Sequence, residues 1–597
     1  MEMPIIYSFP TSTSWSGLYL HGGIYMGYIG DSIGTDYMTW EAGASIFISS
    51  PTGSGKTTFI LETFLPYLAK ERKRMLYLVN RTILKNQIEK RIKRLDMQCQ
   101  MAIKVELYQT IENIYHMQIL QEYCQYDYVV CDEAHYFLSD SNYNTRTFLS
   151  FKFVREHFVK KVRIFISATI EQIEEYVRMD NLKDPDYYSR WLGIRISNDS
   201  RTGIISHISK HVYSAERNYD YVDVGILNRR DEIIDIVCKG DEKWLIFVDS
   251  KGFGNSLKKE LESSLSCKES YNQDLVAFIT SGYKSDPDSM NQVKSIISDR
   301  KQSAKILIAT SVLDNGISLE DEELRNMIII ADTETEFIQM LGRKRKDNQR
   351  LKLYIYKQDK DYFTKRNRIA KKREEFVNDY YVHVGKEVMS CIYPNVPIQA
   401  INTAEQIAMN SRSLNLIKHL FNNDESADCI RSSFFYSEVE GVVYLNLLAL
   451  HNLQNLTSFY DKLLSEFDTY GENAFLREQL QWLNKSEEEI EQIISESEQT
   501  SYEKSRKIVI DELNSIKGNA LTKEKFIKTK NGIRNELVEL IKHVDHGHPD
   551  YNKYMQSVKK NDRVISTELM NFLRENCDIP FEVTQTETKD YIVKVES

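Results

Sequence analysis

Nine consecutive residues, Ser50-Pro51-Thr52-Gly53-Ser54-Gly55-Lys56-Thr57-Thr58, stand between a short apolar run, Ser45-Ile46-Phe47-Ile48, and a stretch from Phe59 to Leu68 that reads as a helix. Strand, glycine loop, helix is the order that phosphate binding needs. The glycines let backbone N–H groups turn inward, the helix N-terminus adds positive potential, a lysine supplies a cation and a hydroxyl can ligate magnesium. The candidate phosphate-binding residues are therefore Gly53, Ser54, Gly55, Lys56, Thr57 and Thr58, with Thr57 also the candidate magnesium ligand. The phosphate-loop pattern carries glycine at its first position, where this chain has Ser50, and the competing reading is a glycine turn with no ligand.

A second run that reads as a strand, Tyr126 to Cys131, ends in Asp132-Glu133-Ala134-His135. This places two carboxylates at the C-terminal edge of a sheet, where parallel α/β sheets bind ligands. Asp132 can hold magnesium, often through water, and Glu133 can polarise an attacking water. On its own so short an acidic string is usually a solvated turn. Here it follows the lysine of the glycine loop, and Ser167-Ala168-Thr169 follows a third, mostly apolar run, Val162 to Ile166.

The glycine loop, Asp-Glu-Ala-His and Ser-Ala-Thr, in this order, resemble the superfamily 2 helicases of the DEAD/DEAH-box type. The resemblance implies ATP and Mg2+ in a cleft between two tandem RecA-like domains, with Lys56, Asp132 and Glu133 catalytic and Ser167, Thr169 and His135 coupling the two halves. It also implies that the second domain brings its own nucleic-acid contacts and an arginine directed at the ATP. Tyr221 to Leu227 reads as a strand, Arg230 to Cys238 as a helix and Trp244 to Val248 as a strand closed by Asp249-Ser250-Lys251, the alternation of a parallel α/β unit. Lys305 to Ala309 leads into Thr310-Ser311-Val312-Leu313-Asp314-Asn315-Gly316-Ile317-Ser318, which is similar to helicase motif V. Met327 to Ala331 precedes Gln339-Met340-Leu341-Gly342-Arg343-Lys344-Arg345-Lys346, which is similar to motif VI.

In the family, motif VI reads Gln-x-x-Gly-Arg-x-x-Arg and its arginines reach the γ-phosphate. The resemblance thus assigns Gln339 and Arg343 to catalysis, and Asp314, Gly316, Arg345 and Lys346 to the nucleotide. Two positions depart from the pattern. Lys346 stands where the second arginine belongs, and lysine lacks the planar fork for bidentate phosphate contact; Ser318 stands where motif V has an acid.

Nucleic-acid contacts implied by the resemblance fall on Arg81, on Gln109 and Thr110, on Ser250 and on Thr310, mostly loop-end hydroxyls and amides suited to phosphate oxygens rather than base edges. A capping or surface role is the ordinary alternative for Arg81 or Ser250. Residues 1–48 contain no glutamine, the residue with which DEAD-box RNA helicases read adenine. His135, Asn80-Arg81 and the string after Gln339 are more similar to bacterial and viral DNA-directed helicases, so single-stranded DNA is favoured over RNA as the partner, by family analogy. The aromatics Tyr25, Tyr28, Tyr37 and Trp40 either stack on a base or pack a domain edge.

A chain of 597 residues suggests about four domain-sized units. The expected fold class is α/β: an N-terminal extension over 1–44, RecA-like domains over 45–215 and 216–360, and a mainly α-helical C-terminal domain over 361–597. With 42% hydrophobic and 27% charged residues the composition is globular. No run of 18 apolar residues lacks charge and no leader-like segment opens the chain, so the expected location is the cytoplasm, with no membrane partner. The eight cysteines include no Cys-x-x-Cys pair.

A net charge of -10 confines any polyanion site to a local basic face. Arg343 to Arg373 holds 14 Lys or Arg against three Asp, which either line a strand channel or form a solvated helix. Beyond Asp379 the pattern is mostly helical, with a hairpin from Phe434 to Tyr444. Glu487 to Glu498, with six glutamates and no basic residue, faces solvent or a protein partner. His543, His546 and His548 are expected to hold no zinc. The function expected is an ATP-dependent helicase or translocase on DNA. The alternatives are an RNA helicase, a translocase that moves duplex without separating it, and a nucleic-acid-triggered ATPase switch that gates a partner on the C-terminal domain.

Overall fold

The computed structural model describes residues 28–597 apart from 52, 143, 145, 172, 175–176, 178–209, 216, 267–274, 281–285, 314–318, 345–348, 376–433, 438–441, 446, 545–547, 561–566, 588 and 596–597. The chain divides into two compact units: residues up to Phe137 with Arg146–Asn218, and Leu138–Thr145 with Tyr219–Ser597.

The first unit is built on six parallel strands in the order β3-β2-β4-β5-β1-β6, where β1 is Ser45–Ser49, β2 Met75–Val79, β3 Ile103–Leu107, β4 Tyr128–Asp132, β5 Val162–Ser167 and β6 Lys210–Ser214. A parallel sheet is covered on both faces, which is why β2, β4 and β5 are unbroken buried runs rather than alternating ones. On one face Ile46, Ile48, Tyr77, Val79, Val130 and Ile164 pack under a helix, α1, that spans residues 56–70. On the other, Phe47 stacks on Phe165 with centroids 5.5 Å apart. A wider, π-type turn over Phe59–Phe64 interrupts α1. Pro66 follows it; a proline has no N–H to give and its ring crowds the carbonyl four residues back, which favours such a turn. The helices α2 (Thr82–Ile92), α3 (Tyr108–Ile114) and α4 (Thr147–His157) complete the frame.

The second unit repeats the plan with six parallel strands in the order β7-β12-β11-β8-β10-β9: β7 Val222–Leu227, β8 Lys243–Phe247, β9 Val276–Ile279, β10 Ile306–Ala309, β11 Leu324–Ile329 and β12 Leu351–Tyr356. Trp244, Ile246, Val248, Ile306 and Ile328 form a core with Leu257, Leu261 and Leu265 of α6 (Lys251–Leu265) and with Ile233 and Val237 of α5 (Arg230–Lys239). α7 (Glu334–Leu341) starts at a Thr333 cap, whose side chain accepts from the Glu336 amide.

Residues 360–375 form α8, the basic helix that leads out of this sheet. Its apolar residue Phe363 is fully buried and meets Phe475 at 4.4 Å between ring centroids, with Tyr460 and Phe467 beside it. These rings come from α9 (Leu447–Tyr470) and α10 (Ala474–Trp482). Trp482 in turn contacts Phe337 of α7. The long α11 (Glu487–Ile516) opens with a full capping box between Ser486 and Glu489, and its glutamate-rich first turns suit a helix N-terminus. α12 (Arg534–Lys542) packs against α11 in a last core that includes Val509, Leu513, Leu537, Leu540 and Ile541. The region after 361 is mainly helical as expected, but it also holds a short antiparallel sheet of Ala520–Leu521, Tyr591–Val595 and Phe581–Gln585 that the sequence reading had not assigned. Among the described residues no helix is long and apolar enough to cross a membrane.

Candidate active site

The glycine loop leaves β1 at its C-terminal end and runs directly into α1. Gly53 and Gly55 sit at φ 92° and 84°, a region that side chains disfavour and glycine tolerates. A Cβ added at Gly55 would lie 2.9 Å from Cδ1 of Tyr28, so the absence of a side chain there also admits that ring. The Ile29 amide donates to the Ser54 carbonyl at 2.9 Å, fixing the segment against the loop. Ser50, where the pattern has glycine, is fully buried and has no positive φ; its hydroxyl is bonded to that of Ser54, and Ser54 Oγ donates to the Pro51 carbonyl at 2.7 Å. The serine therefore ties the base of the loop with side chains. Lys56 Nζ crosses the loop to the Ser50 carbonyl at 2.9 Å. A loop with two left-handed glycines, a lysine ammonium across it and a helix start behind it fits a nucleotide phosphate.

Asp132 ends β4 beside the loop and is buried. Its Oδ2 accepts from Tyr77 Oη at 2.8 Å and its Oδ1 from the Glu133 amide at 3.1 Å, while its carbonyl accepts from Tyr108 Oη at 2.9 Å. Burial, and then the neighbouring Glu133 charge, push the Asp132 carboxyl up to about 6, against the pull of Lys56 and Tyr77. Thr57 and Asp132 present only oxygen donors, the set that a hard divalent cation such as Mg2+ takes, and a cation there would favour the ionised carboxylate.

Glu133 stands at φ 50°, an uncommon conformation for a residue with a side chain. It places Oε2 3.5 Å from His135 Nδ1, which lies 3.2 Å from Ser167 Oγ; that oxygen accepts from the Thr169 amide at 3.1 Å. Glu133, His135 and Ser167, singled out separately by their strings, thus form one connected run of side chains that ends on the Thr169 backbone amide. Arg217 donates to the Ala168 carbonyl at 2.7 Å and holds that loop from β6's side.

The candidate strand contacts of this unit lie at the ends of neighbouring strands. Arg81 precedes α2, just after β2. Gln109 Nε2 donates to the Asn80 carbonyl at 3.1 Å, joining the loops after β2 and β3. Thr110 Oγ1 donates to the buried Glu106 carboxylate at 3.0 Å, which Lys85 also meets at 2.6 Å. The aromatics divide: Tyr37 and Trp40 are packed in the core, Tyr28 lies exposed against the loop, and Tyr25 is outside the described residues.

In the second unit, Ser250 follows β8 and caps α6, accepting from the Phe253 amide at 3.2 Å. Thr310 follows β10 and its amide donates to the Ile279 carbonyl at 3.1 Å. Gln339 and Arg343 are both buried; Arg343 Nε donates to the Gln339 carbonyl at 2.9 Å. Asp314, Gly316, Arg345 and Lys346 lie outside the described residues. Among the described residues, four of the cations from Arg343 to Arg373 are held by acids distant in sequence. Arg366 bonds Asp249 at 2.8 Å and Asp332 at 3.2 Å, Lys371 bonds Asp461 at 2.6 Å, Lys360 bonds Asp468 at 2.5 Å and Arg350 grips Asp223. Tyr362 Oη donates within the same group, 3.0 Å from Asp249 and 2.9 Å from Asp332. Below it, Glu336 of α7 is pushed up to about 7 by burial and then by Asp332.

Tyr77 and Tyr108 are the neighbours of the site that the sequence does not single out. Tyr77 carried a signal, a phenol inside an otherwise aliphatic strand two residues before its end; Tyr108 carried none.

Residues 39–172 match the family model described as type III restriction enzyme, res subunit. No curated protein matches the chain. Among solved structures the chain is similar to the E. coli DExH-box NTPase HrpB, at 14% identity and a TM-score of 0.36 over 56% of this chain and 42% of that one. A second structure, of the Escherichia coli DEAH/RHA helicase HrpB, is similar at 14% identity and a TM-score of 0.33, over 55% of this chain and 42% of that one. The chain thus spans about two fifths of the length of these solved proteins.

Proposed function

We propose that the chain is a superfamily 2 helicase-like ATP hydrolase of the Asp-Glu-Ala-His type that moves along nucleic acid, single-stranded DNA in preference to RNA, a reading that the family match over residues 39–172 supports. The observation that carries this reading is the meeting of the glycine loop, Lys56 and the Asp132-Glu133 pair at one end of one parallel sheet, the end where such sheets take ligands.

In this reading the loop amides and Lys56 hold the β- and γ-phosphates, and Gly53, Ser54, Gly55 and Thr58 shape the loop around them. Thr57 and Asp132 would hold Mg2+, which would supply positive charge against the negative charge that develops on the phosphates. Glu133 orients and deprotonates the attacking water, an effect worth about 10²- to 10⁴-fold for a positioned base. Arg343, with Gln339 beside it, supplies the transition-state cation, worth roughly 10³- to 10⁵-fold in known NTPases. Asp314, Gly316, Arg345 and Lys346 complete the nucleotide contacts. The chain Glu133–His135–Ser167–Thr169 communicates the state of the γ-phosphate to the strand contacts at Arg81, Gln109, Thr110, Ser250 and Thr310. Nucleotide can move the strand only through its differential affinity for two arrangements of the protein.

The test is the steady-state ATPase rate of the full chain, alone and with single-stranded DNA, duplex DNA or single-stranded RNA at fixed salt, with Glu133→Gln as the control. Greatest stimulation by single-stranded DNA is expected. Stimulation by RNA alone would reverse the substrate, and no stimulation by any of them would overturn the motor.

A further inference from the structure

We propose that Tyr108 and Tyr136 are positioning residues that tie the nucleic-acid contacts at the start of α3 to the backbone that aims Glu133, so that a strand bound there raises the rate of hydrolysis. The inference rests on the roles given above to Glu133, Gln109 and Thr110 and deepens them.

Tyr108 opens α3, immediately before Gln109 and Thr110. Its ring is fully buried, and its Oη donates to the Asp132 carbonyl at 2.9 Å. That carbonyl belongs to the peptide that leads into Glu133. The amide of the same peptide donates to Asp132 Oδ1 at 3.1 Å, so the peptide plane is held from both sides. Glu133 itself stands at φ 50°, a conformation that persists only where the surroundings over-determine it. A second tie runs the other way. Tyr136 belongs to the turn that carries Glu133, its amide donating to the Glu133 carbonyl at 2.9 Å. It too is fully buried, and its Oη donates to Glu112 Oε1 at 2.9 Å, one turn along α3. The two rings stack with centroids 4.7 Å apart and planes 9° apart. Each segment thus grips the other through a phenol, and α3 and the Glu133 turn are braced together.

Gln109 extends the brace to the loop of Arg81, through its bond to the Asn80 carbonyl at 3.1 Å. A nucleic-acid strand that engages Arg81, Gln109 or Thr110 therefore bears on the peptide behind Glu133. A displacement of about 1 Å at a catalytic group is worth up to about 10²-fold in rate, so a small shift of α3 suffices. The competing explanation is that both phenols satisfy buried acceptors for stability alone.

The two are separated by kcat and KM for ATP of the full chain, with and without saturating single-stranded DNA and, in parallel, single-stranded RNA. The chains are wild type, Tyr108→Phe, Tyr136→Phe, the double variant and Ser150→Ala. Phenylalanine keeps each ring and removes its hydrogen bond. Ser150 Oγ lies 2.9 Å from the same Glu112 oxygen, so Ser150→Ala removes a buried hydrogen bond and cuts neither tie. Each phenol variant is expected to lower the ratio of stimulated to unstimulated kcat by about tenfold. KM for ATP is expected to stay within about twofold, the signature of an interaction used in turnover rather than in binding. The double variant is expected to lose less than about twofold more, because a brace cut once is already open. Ser150→Ala is expected to keep the wild-type ratio. Melting curves report that each variant is folded, and Tyr136→Phe tests the brace from its other end should Tyr108→Phe not fold. A wild-type ratio in a folded phenol variant, an equal loss in Ser150→Ala, or losses that multiply in the double variant would overturn the brace alone. A wild-type chain that neither strand stimulates would overturn the motor reading and the brace with it.

Discussion

At the scale of single residues the site shows conflicts that a purely structural turn has no reason to keep. Glu133 adopts a left-handed backbone that costs about 1–3 kcal/mol for a residue with a side chain. Asp132 is buried beside it, and the pair leaves the Asp132 carboxyl pushed up to about 6. Lys56→Ala is expected to weaken nucleotide binding, read by equilibrium titration, by about 10-fold or more, the loss of a charge-assisted contact. Glu133→Gln is expected to bind nucleotide normally and to hydrolyse it about 10²- to 10⁴-fold more slowly. Normal turnover in that variant would remove Glu133 from its role. Glu336 gives a pH dependence of stability. Its folded-state value is raised to about 7, so the native state holds a proton that the unfolded chain has already lost. The associated stability is present at low pH and is lost as pH rises through about 5 to 7. The melting temperature is expected to fall by about 2–4 °C between pH 6 and pH 8, and Glu336→Gln is expected to flatten that slope.

At the scale of elements, what was legible was what lies close in sequence. The buried runs Ile46–Ile48, Val129–Cys131 and Leu245–Val248 could be read as parallel strands because both faces are covered. The glycine loop and the Asp-Glu-Ala-His string could be read because each is a local signature. What was not legible depended on long-range pairing. The sheet of Ala520–Leu521, Phe581–Gln585 and Tyr591–Val595 joins short segments that are weak alone. The basic run after Arg343 left a strand channel and a solvated helix both open because the acids that bind part of it, Asp249, Asp332, Asp461 and Asp468, are far from it in sequence. Tyr77 likewise could be noticed but not interpreted without the sheet order that sets it beside Asp132. α8 is held as a clamp by Arg366, which stands between Asp249 and Asp332. Arg366→Ala is expected to destabilise the second unit by about 1–3 kcal/mol, since Asp332 is left buried with its charge uncompensated. The check is a denaturant melt, in which nucleotide binding at Lys56 should survive.

At the scale of the molecule, the second unit does not end with its sheet. Phe363 and Phe337 are covered by Tyr460, Phe467, Phe475 and Trp482, and Arg229 at the start of α5 pairs with Glu536 of α12 at 3.1 Å. Removal of everything after Asp379 is therefore expected to abolish stimulated hydrolysis by unfolding the second unit. A truncated chain with wild-type stimulated turnover and an intact melting transition would contradict that dependence. The C-terminal helices act first as the missing wall of a core, and any partner they bind meets them in that state.

The cover over Phe337 and Phe363 also sets an order of events during synthesis. The first sheet has all its strands once Ser214 has been made and the second once Tyr356 has, but the covering rings are complete only with Trp482. At ribosomal rates of about 5–20 residues per second the stretch from Phe363 to Trp482 takes roughly 6 to 24 seconds. During it Phe337 and Phe363 are present without their cover, so the nascent chain is expected to need a chaperone between the two folding steps.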